Sequence, residues 1–259
     1  MAIKIAITSL SGGQGKSTLS LFLARKLASI APTLAIDTDP QHNLTTYLGV
    51  QLQNNPPTLL EFLKGTVDFE DAVYPVSLNH TDNLFLIPAD DQFDSANDYL
   101  SGSGIGAMLL SQRLESLNDI FQFCIIDSPP QRSQISKTVI GAADFLVIPA
   151  EANAKGFGSV IRTLDLIDSM KNMRATSAQL IGVVPFRDKW VGLNQTKESR
   201  FAIDGMKDEA TVLPSIRESE KYKEAINHKT ELNDVDLTYP IQYLAQHILD
   251  QANILETVG

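Results

Sequence analysis

The stretch Ser9-Leu10-Ser11-Gly12-Gly13-Gln14-Gly15-Lys16-Ser17-Thr18 decides the fold of this chain because of what lies on either side of it. Ile3, Ile5 and Ile7 read as a short buried strand, and Leu19, Leu23, Leu27 and Ile30 recur at helical spacing before Pro32 stops the pattern. The glycines therefore fall on a strand-to-helix turn. With no side chains in the way, backbone N–H groups there close around phosphate oxygens, and the positive end of the helix dipole adds to the attraction. Residues 11–18 are the expected phosphate cradle, from Ser11 at its rim through Gly12, Gly13, Gln14 and Gly15 to Thr18. Within it Lys16 reaches the β- and γ-phosphates and Ser17 binds Mg²⁺.

The spacing is not that of the common loop G-x-x-x-x-G-K-[ST], because Leu10 stands where that pattern has its first glycine. Gly12, Gly13, Gly15, Lys16, Ser17 and Thr18 fit the variant K-G-G-x-G-K-[ST]-[ST] instead, with Ser11 in place of the leading lysine.

The chain has 259 residues, 43% of them hydrophobic, enough to bury a large core as one α/β domain spanning 1–259. The N-terminus enters a strand by residue 3 without a secretory-type leader, and nowhere do about 18 successive apolar residues occur. The expectation is a cytoplasmic protein. The single Cys124 lies inside the apolar run 123–126, which excludes disulfides and thiolate metal sites and reads as inert core. A formal net charge of −10 argues against a uniformly basic surface, yet nucleic-acid binding needs only a local patch. Residues 187–229 hold nine Lys and Arg against eight Asp and Glu, residues 1–186 twelve against eighteen, and residues 230–259 none against five. The only stretch that is not acidic is therefore late in the chain.

Apolar runs at 34–36, 84–87, 123–126, 145–148 and 180–184 alternate with helical or polar stretches, the signature of a parallel sheet buried on both faces. Most end in a carboxylate or proline, at Asp37, Pro88, Asp127, Pro149 and Pro185, marking the sheet edge where such folds gather ligands. Residues 51–57 and 100–106 read as surface loops. Phe123-Cys124-Ile125-Ile126-Asp127, followed by Ser128-Pro129-Pro130, has the form of a strand whose terminal aspartate accepts hydrogen bonds from Mg²⁺-bound water. In Asp37-Thr38-Asp39-Pro40-Gln41-His42-Asn43, Asp37 ends the second strand and Asp39 lies just past it, so both carboxylates can face the phosphate edge. His42 has no partner histidine nearby and is not read as a metal ligand or acid–base group. Trp190 and Phe186 read as packing residues.

D-x-D-P-Q-x-N, the G-G-x-G-K-[ST] loop and I-I-D-[ST]-P-P together resemble the ParA/MinD-like ATPases, a branch of the P-loop proteins. The resemblance extends to Pro214-Ser215-Ile216-Arg217-Glu218, which is similar to the late I-P-x-x-x-R stretch of ParA proteins. It implies a three-layer α/β P-loop NTPase fold, with a mostly parallel central sheet flanked by helices. It also implies hydrolysis of ATP to ADP and phosphate, with Asp39 positioning or activating water and Asp37 supporting the Mg²⁺ shell. Pro185, Phe186 and Arg187 would then border the adenine pocket.

In that family the lysine at the Ser11 position reaches across a face-to-face dimer to the phosphates bound by the other subunit, neutralising charge on the transferring group. Ser11 carries no such charge, so either hydrolysis is poor or another cation enters. Lys155, after the strand at 145–149 and beside Gly156 and Gly158, is the first candidate, and Arg132 the second. A subgroup of ParA-like proteins that positions carboxysomes, known as McdA, is similar in having serine at the usual lysine position and a lysine after this strand. By this resemblance ATP joins two chains into a homodimer that binds DNA without regard to sequence, and a cargo adaptor stimulates hydrolysis and release. Lys189, Arg200, Arg217, Lys221, Lys223 and Lys229 are the late cations available for DNA, with Arg217 matching the family's late arginine.

Carboxysome positioning in a nucleoid-associated, cytoplasmic protein is the favoured reading, and plasmid or chromosome partition is the alternative. The chain begins at its first strand, so the operator-binding role of ParA proteins with an N-terminal helix-turn-helix is not expected. A MinD-like membrane role is disfavoured because the apolar helix from Ile241 through Leu244, Ile248 and Leu249 to Leu255 has no Lys or Arg after residue 229. One cysteine cannot supply an iron–sulfur cluster as in other relatives. A nonenzymatic nucleotide-binding scaffold is the remaining alternative.

Overall fold

The computed structural model describes residues 1–52, 56–77, 82–117 and 120–253 with their side chains, and the helical backbone of 254–258. Its strands in chain order are β1 (Ile3–Ile7), β2 (Thr33–Asp37), β3 (Tyr74–Pro75), β4 (Leu84–Ile87), β5 (Phe123–Asp127), β6 (Phe145–Glu151), β7 (Gln179–Asp188), β8 (Trp190–Val191), β9 (Asn194–Gln195) and β10 (Ile216–Arg217). Its helices are α1 (Lys16–Ala28), α2 (Asn43–Leu48), α3 (Leu59–Lys64), α4 (Phe69–Ala72), α5 (Ala96–Gly102), α6 (Gly106–Leu114), α7 (Gln134–Ala142), α8 (Ala154–Asn172), α9 (Lys197–Glu209), α10 (Glu220–Asn227) and α11 (Val235–Val258).

Eight strands form one sheet in the order β10-β7-β6-β1-β5-β2-β4-β3, parallel except for the β3–β4 pair, and β8 and β9 form a separate hairpin. Every apolar run anticipated as a strand lies in this sheet. Alternation along each strand divides the core in two, as a pleated strand buried on both faces requires. Ile5, Ile7, Ala35, Phe123, Ile125 and Val147 pack with α1, α2, α10 and α11, whereas Ala6, Leu34, Ile36, Cys124, Ile126 and Leu146 pack with α3 and α5–α8. The result is the three-layer architecture that the sequence implies.

Two local expectations change. Ile30 does not continue the α1 stripe: the helix ends at Ala28, and Ile30 is 48% exposed in the turn that feeds β2. The stretch 100–106 is mostly helix rather than loop, because Leu100 is buried at the end of α5 and α6 begins at Gly106, leaving only 103–105 as a connection. Gly106 is required there, since a Cβ would lie 2.3 Å from the Leu100 carbonyl oxygen. In the other polar stretch, 53–55 lie outside the described residues.

The late apolar helix is α11. Its Ile241, Leu244 and Ile248 are buried in the same cluster as Leu19, Leu23 and Leu27 of α1, so this face is spent on the core. Cys124 is 2% exposed, and burial pushes its thiol up to about 12, which keeps it an unreactive core residue.

Candidate functional site

β1 ends at Ile7 and α1 begins at Lys16, so residues 8–15 form the turn between them. α1 has no side-chain cap and no acidic residue in its first turn, which leaves its leading N–H groups and dipole for an anion. Gly15 sits in the left-handed region at φ 89°, and a Cβ there would lie 2.6 Å from the Phe186 ring, so glycine is required twice over. Gln14 braces the turn from inside: fully buried, its Oε1 accepts from the Glu151 backbone N–H at 2.9 Å and its Nε2 donates to the Gly12 carbonyl at 3.3 Å. The cleft above the loop has a volume of about 240 Å³. Gly12, Gly13, Gln14, Gly15, Lys16, Ser17 and Thr18 line it, and Asp39, Gln41, Asn43, Tyr47, Pro130, Phe186 and Arg187 complete its walls.

Below the cleft, parallel pairing sets Asp37 of β2 beside Asp127 of β5. Both are fully buried, and they are held differently. Asp37 accepts at Oδ1 from the Asp39 backbone N–H (3.1 Å), and at Oδ2 from the Thr45 backbone N–H (2.9 Å) and hydroxyl (2.8 Å). It fastens the 37–45 turn to the sheet. Asp127 accepts at Oδ1 from the Ser20 hydroxyl at 2.9 Å, while its buried Oδ2 has no hydrogen-bond partner among the described residues.

Burial raises both carboxyls, Asp127 to about 7 and Asp37 to about 6, against the hydrogen bonds each accepts. The charge of Asp37 adds to the rise at Asp127. Asp39 is also raised by burial, opposed by the Gln41 N–H at 3.0 Å and by Lys16. Lys16, 6% exposed, is lowered by burial while Asp127 and Asp39 pull it back up, and its Nζ donates to the Ser11 carbonyl at 3.2 Å. The Lys16 ammonium thus lies between the Asp127 carboxyl below the cleft and the Asp39 carboxyl in its wall. A buried carboxylate oxygen left open beside Ser17 fits the hydration shell of a hard divalent cation.

Other anticipated residues fall less uniformly. Phe186 and Arg187 line the cleft, but Pro185 lies a residue back, buried within β7. Arg187 adopts φ 52° and pairs with Glu151 at 2.9 Å. Lys155, in the first turn of α8, does reach the phosphate loop: its Nζ donates to the Gly12 carbonyl at 3.0 Å. Arg132 is exposed beyond β5. His42 takes φ 42° before α2 and lies 3.4 Å from Asp91, outside the cleft lining.

The late cations are not equivalent. The Arg217 guanidinium stacks 4.3 Å from the centre of the Trp190 ring, whose Nε1 donates to the buried Asp188 at 2.9 Å. Lys221 pairs with Asp234 at 2.6 Å and Lys223 with Glu220 at 2.9 Å. Lys189 and Arg200 are exposed near the β8–β9 hairpin.

Several contributors went unread in the sequence. Tyr47 lies one helical turn beyond Asn43, and Ser20 one turn beyond Ser17, so helical spacing from the motif residues was the signal available for both. Thr45 lies just past the stretch 37–43 already singled out. Arg162, whose Nη2 donates to the Ser11 hydroxyl at 2.9 Å, carried no local signal at all.

Comparison with known proteins agrees with this geometry. A family model described as an AAA domain matches residues 2–177. The maintenance of carboxysome distribution protein A of Gloeothece citriformis is 49% identical over 244 residues, covering 92% of this chain and 93% of that protein. Apo McdA of Cyanothece superposes with a TM-score of 0.92 at 46% identity, covering 96% of this chain and all of that one. An aspartate-to-alanine variant of Cyanothece McdA in complex with ATP gives a TM-score of 0.90 at 44% identity, covering 97% and 96%. With its deviant phosphate loop, its paired buried aspartates and these near full-length matches, the chain belongs to the McdA family of ParA-type P-loop ATPases.

Proposed function

We propose that this protein binds ATP with Mg²⁺ in the cleft at residues 12–18, dimerises face to face on doing so, and binds DNA without sequence preference. An adaptor then stimulates hydrolysis to ADP and phosphate, and the cycle positions carboxysomes along the nucleoid in the cytoplasm. The reading of the cargo rests on the carboxysome-distribution relatives and on Ser11, which stands where the ParA-like pattern has lysine.

The observation that carries the chemistry is the open buried oxygen of Asp127 beside Lys16 and Ser17. Among the described residues no cluster of three His, Cys, Asp or Glu side chains forms a metal cage, as suits Mg²⁺, which keeps several waters and shares its shell with phosphates. Ser17 and Asp127 would hold the metal there, with Asp37 supporting Asp127 from behind. Bound there, the metal would neutralise phosphate charge. Lys16 leaves the Ser11 carbonyl for the phosphates, and Asp39, at the rim, orients the attacking water. Lys155 is the cation offered to the partner chain, from a helix start already at the loop.

Two weak basic surfaces joined in one dimer bind DNA more tightly than either alone. Arg217, held over Trp190, is the leading contact, and the exposed Lys189 and Arg200 are further candidates. Among the described residues no helix is long and apolar enough to cross a membrane, and the apolar face of α11 is buried against α1, which supports the reading without a membrane partner. The test is DNA binding with ATP, ADP or no nucleotide, together with turnover with and without DNA. ATP-selective binding and DNA-dependent turnover support the proposal; equal binding in all three states refutes it.

A further inference from the structure

α8 meets the phosphate loop at four points, two of them through cations seven residues apart along one helix. Near its start Lys155 donates to the Gly12 carbonyl at 3.0 Å, and two turns on Arg162 donates to the Ser11 hydroxyl at 2.9 Å. A third contact continues the same seam, where the Leu10 backbone N–H donates to the Thr163 hydroxyl at 3.1 Å. The buried hydroxyls of Ser9 and Ser159 lie 3.0 Å apart one turn earlier. Residues 9–12 are therefore stitched to α8 residue by residue. From the other side the Ser11 carbonyl receives Lys16 at 3.2 Å.

The Arg162–Ser11 contact needs a short hydroxyl side chain at position 11. A lysine there would bring like charge against the Arg162 guanidinium and remove the acceptor oxygen. The guanidinium also lies close over the helix at Gly158, where a Cβ would make an ordinary van der Waals contact with Arg162 Nη1 at 3.4 Å.

We infer that Arg162 is a positioning residue for the ATPase reaction: through Ser11 it sets the Ser11–Gly12 turn against α8, and so sets where Lys155 stands relative to the phosphates. Serine at position 11 is then an acceptor for Arg162 as well as a missing lysine. This rests on the reading that Lys155 serves the phosphate site. Arg162 itself is not among the residues that line the cleft. A planar fork holds an acceptor in a defined direction better than an ammonium, but lysine retains the charge and some reach, so partial function in Arg162→Lys is expected.

The experiment is steady-state ATP turnover of the full chain with DNA, comparing wild type, Arg162→Ala, Arg162→Lys, Ser11→Ala, the double Arg162→Ala/Ser11→Ala, and Lys155→Ala, with the thermal midpoint of each. Arg162→Ala and Ser11→Ala should each lower kcat about tenfold with KM within about twofold, the double variant should fall no further than either single one, and Arg162→Lys should recover part of the loss. Full additivity of the two losses, or a loss matched by a falling thermal midpoint and not recovered by lysine, overturns the inference in favour of plain structural support. Wild-type kcat in Arg162→Ala alongside a lost kcat in Lys155→Ala overturns the inference and leaves the Lys155 reading standing. Unchanged kcat in both overturns both.

Discussion

The Phe186 ring occupies the space that a side chain on Gly15 would need, 2.6 Å from the position of its Cβ. Phe186 lies near the end of β7 at the proposed adenine edge and Gly15 immediately precedes α1, so this contact locks the two halves of the nucleotide cleft together. Gly15→Ala should cost about 2 kcal/mol or more of folding stability, from a left-handed backbone and an overpacked ring together. It should also abolish measurable nucleotide binding. Chemical denaturation and nucleotide titration of the variant check both, and near wild-type values in either contradict the contact's role.

The orphaned oxygen of Asp127 implies a conflict between stability and function. In the nucleotide-free protein Asp37 and Asp127 are raised to about 6 and 7, so between about pH 4 and 7 the folded chain holds more protons than the unfolded one. The stability of the free protein therefore falls as pH rises through that window. Asp127→Asn removes one buried charge, so it should raise the stability of the free protein near pH 7.5 by about 1–2 kcal/mol and flatten the pH dependence. The same variant should lose Mg²⁺-dependent turnover. Thermal midpoints in chelator at pH 5 and 7.5 decide the matter, and a variant less stable than wild type at both counts against it.

Thr45 gives Asp37 two of its three hydrogen bonds, one from the backbone and one from the hydroxyl. Thr45→Val keeps the shape and deletes the hydroxyl donor, which should cost about 1.5–3 kcal/mol because the acceptor is a buried carboxylate. The turn carrying Asp39 loosens with it, so turnover should fall further than ATP affinity. Equal losses in both would place the effect elsewhere.

Arg217 is held in place by Trp190, whereas Lys221 and Lys223 already have acidic partners within the chain. Arg217→Ala should weaken ATP-dependent DNA binding and reduce the salt slope by about 2 per dimer, one phosphate contact on each chain. Trp190→Ala should follow it in part. Lys221→Ala and Lys223→Ala should have smaller effects, measurable by fluorescence anisotropy from low to moderate salt. A larger loss from Lys221→Ala than from Arg217→Ala would reverse this ranking.

The central strands and the phosphate loop were legible because both are written locally. Burial on both faces produces runs such as 123–126, and the loop's glycines sit at fixed offsets from Lys16. Ile30 misled because helical periodicity does not record where a chain must turn to enter β2. The span 100–106 misled because Gly106 serves a close helix packing and not a loop, while only Gly104 lies in the short connection. Asp37 and Asp127 were each readable as site residues, but their pairing across the sheet and their division of labour depend on strand register and on Thr45 and Ser20, hydroxyls that match no motif on their own. Arg162 was illegible for a stronger reason: it lies 151 residues from Ser11, and only the β6–α8 geometry brings the two together.

The most direct measurement is the ATP-bound behaviour of Lys155→Ala beside wild type, followed by sedimentation and by DNA-stimulated single-turnover hydrolysis. Wild type should become a dimer with ATP and not with ADP, and should hydrolyse faster with DNA. The variant should bind ATP as a monomer with near wild-type affinity and lose dimerisation or hydrolysis, because Ser11 carries no charge to take its place. Unchanged DNA-dependent turnover in Lys155→Ala would contradict Lys155 as the cation that replaces the missing lysine.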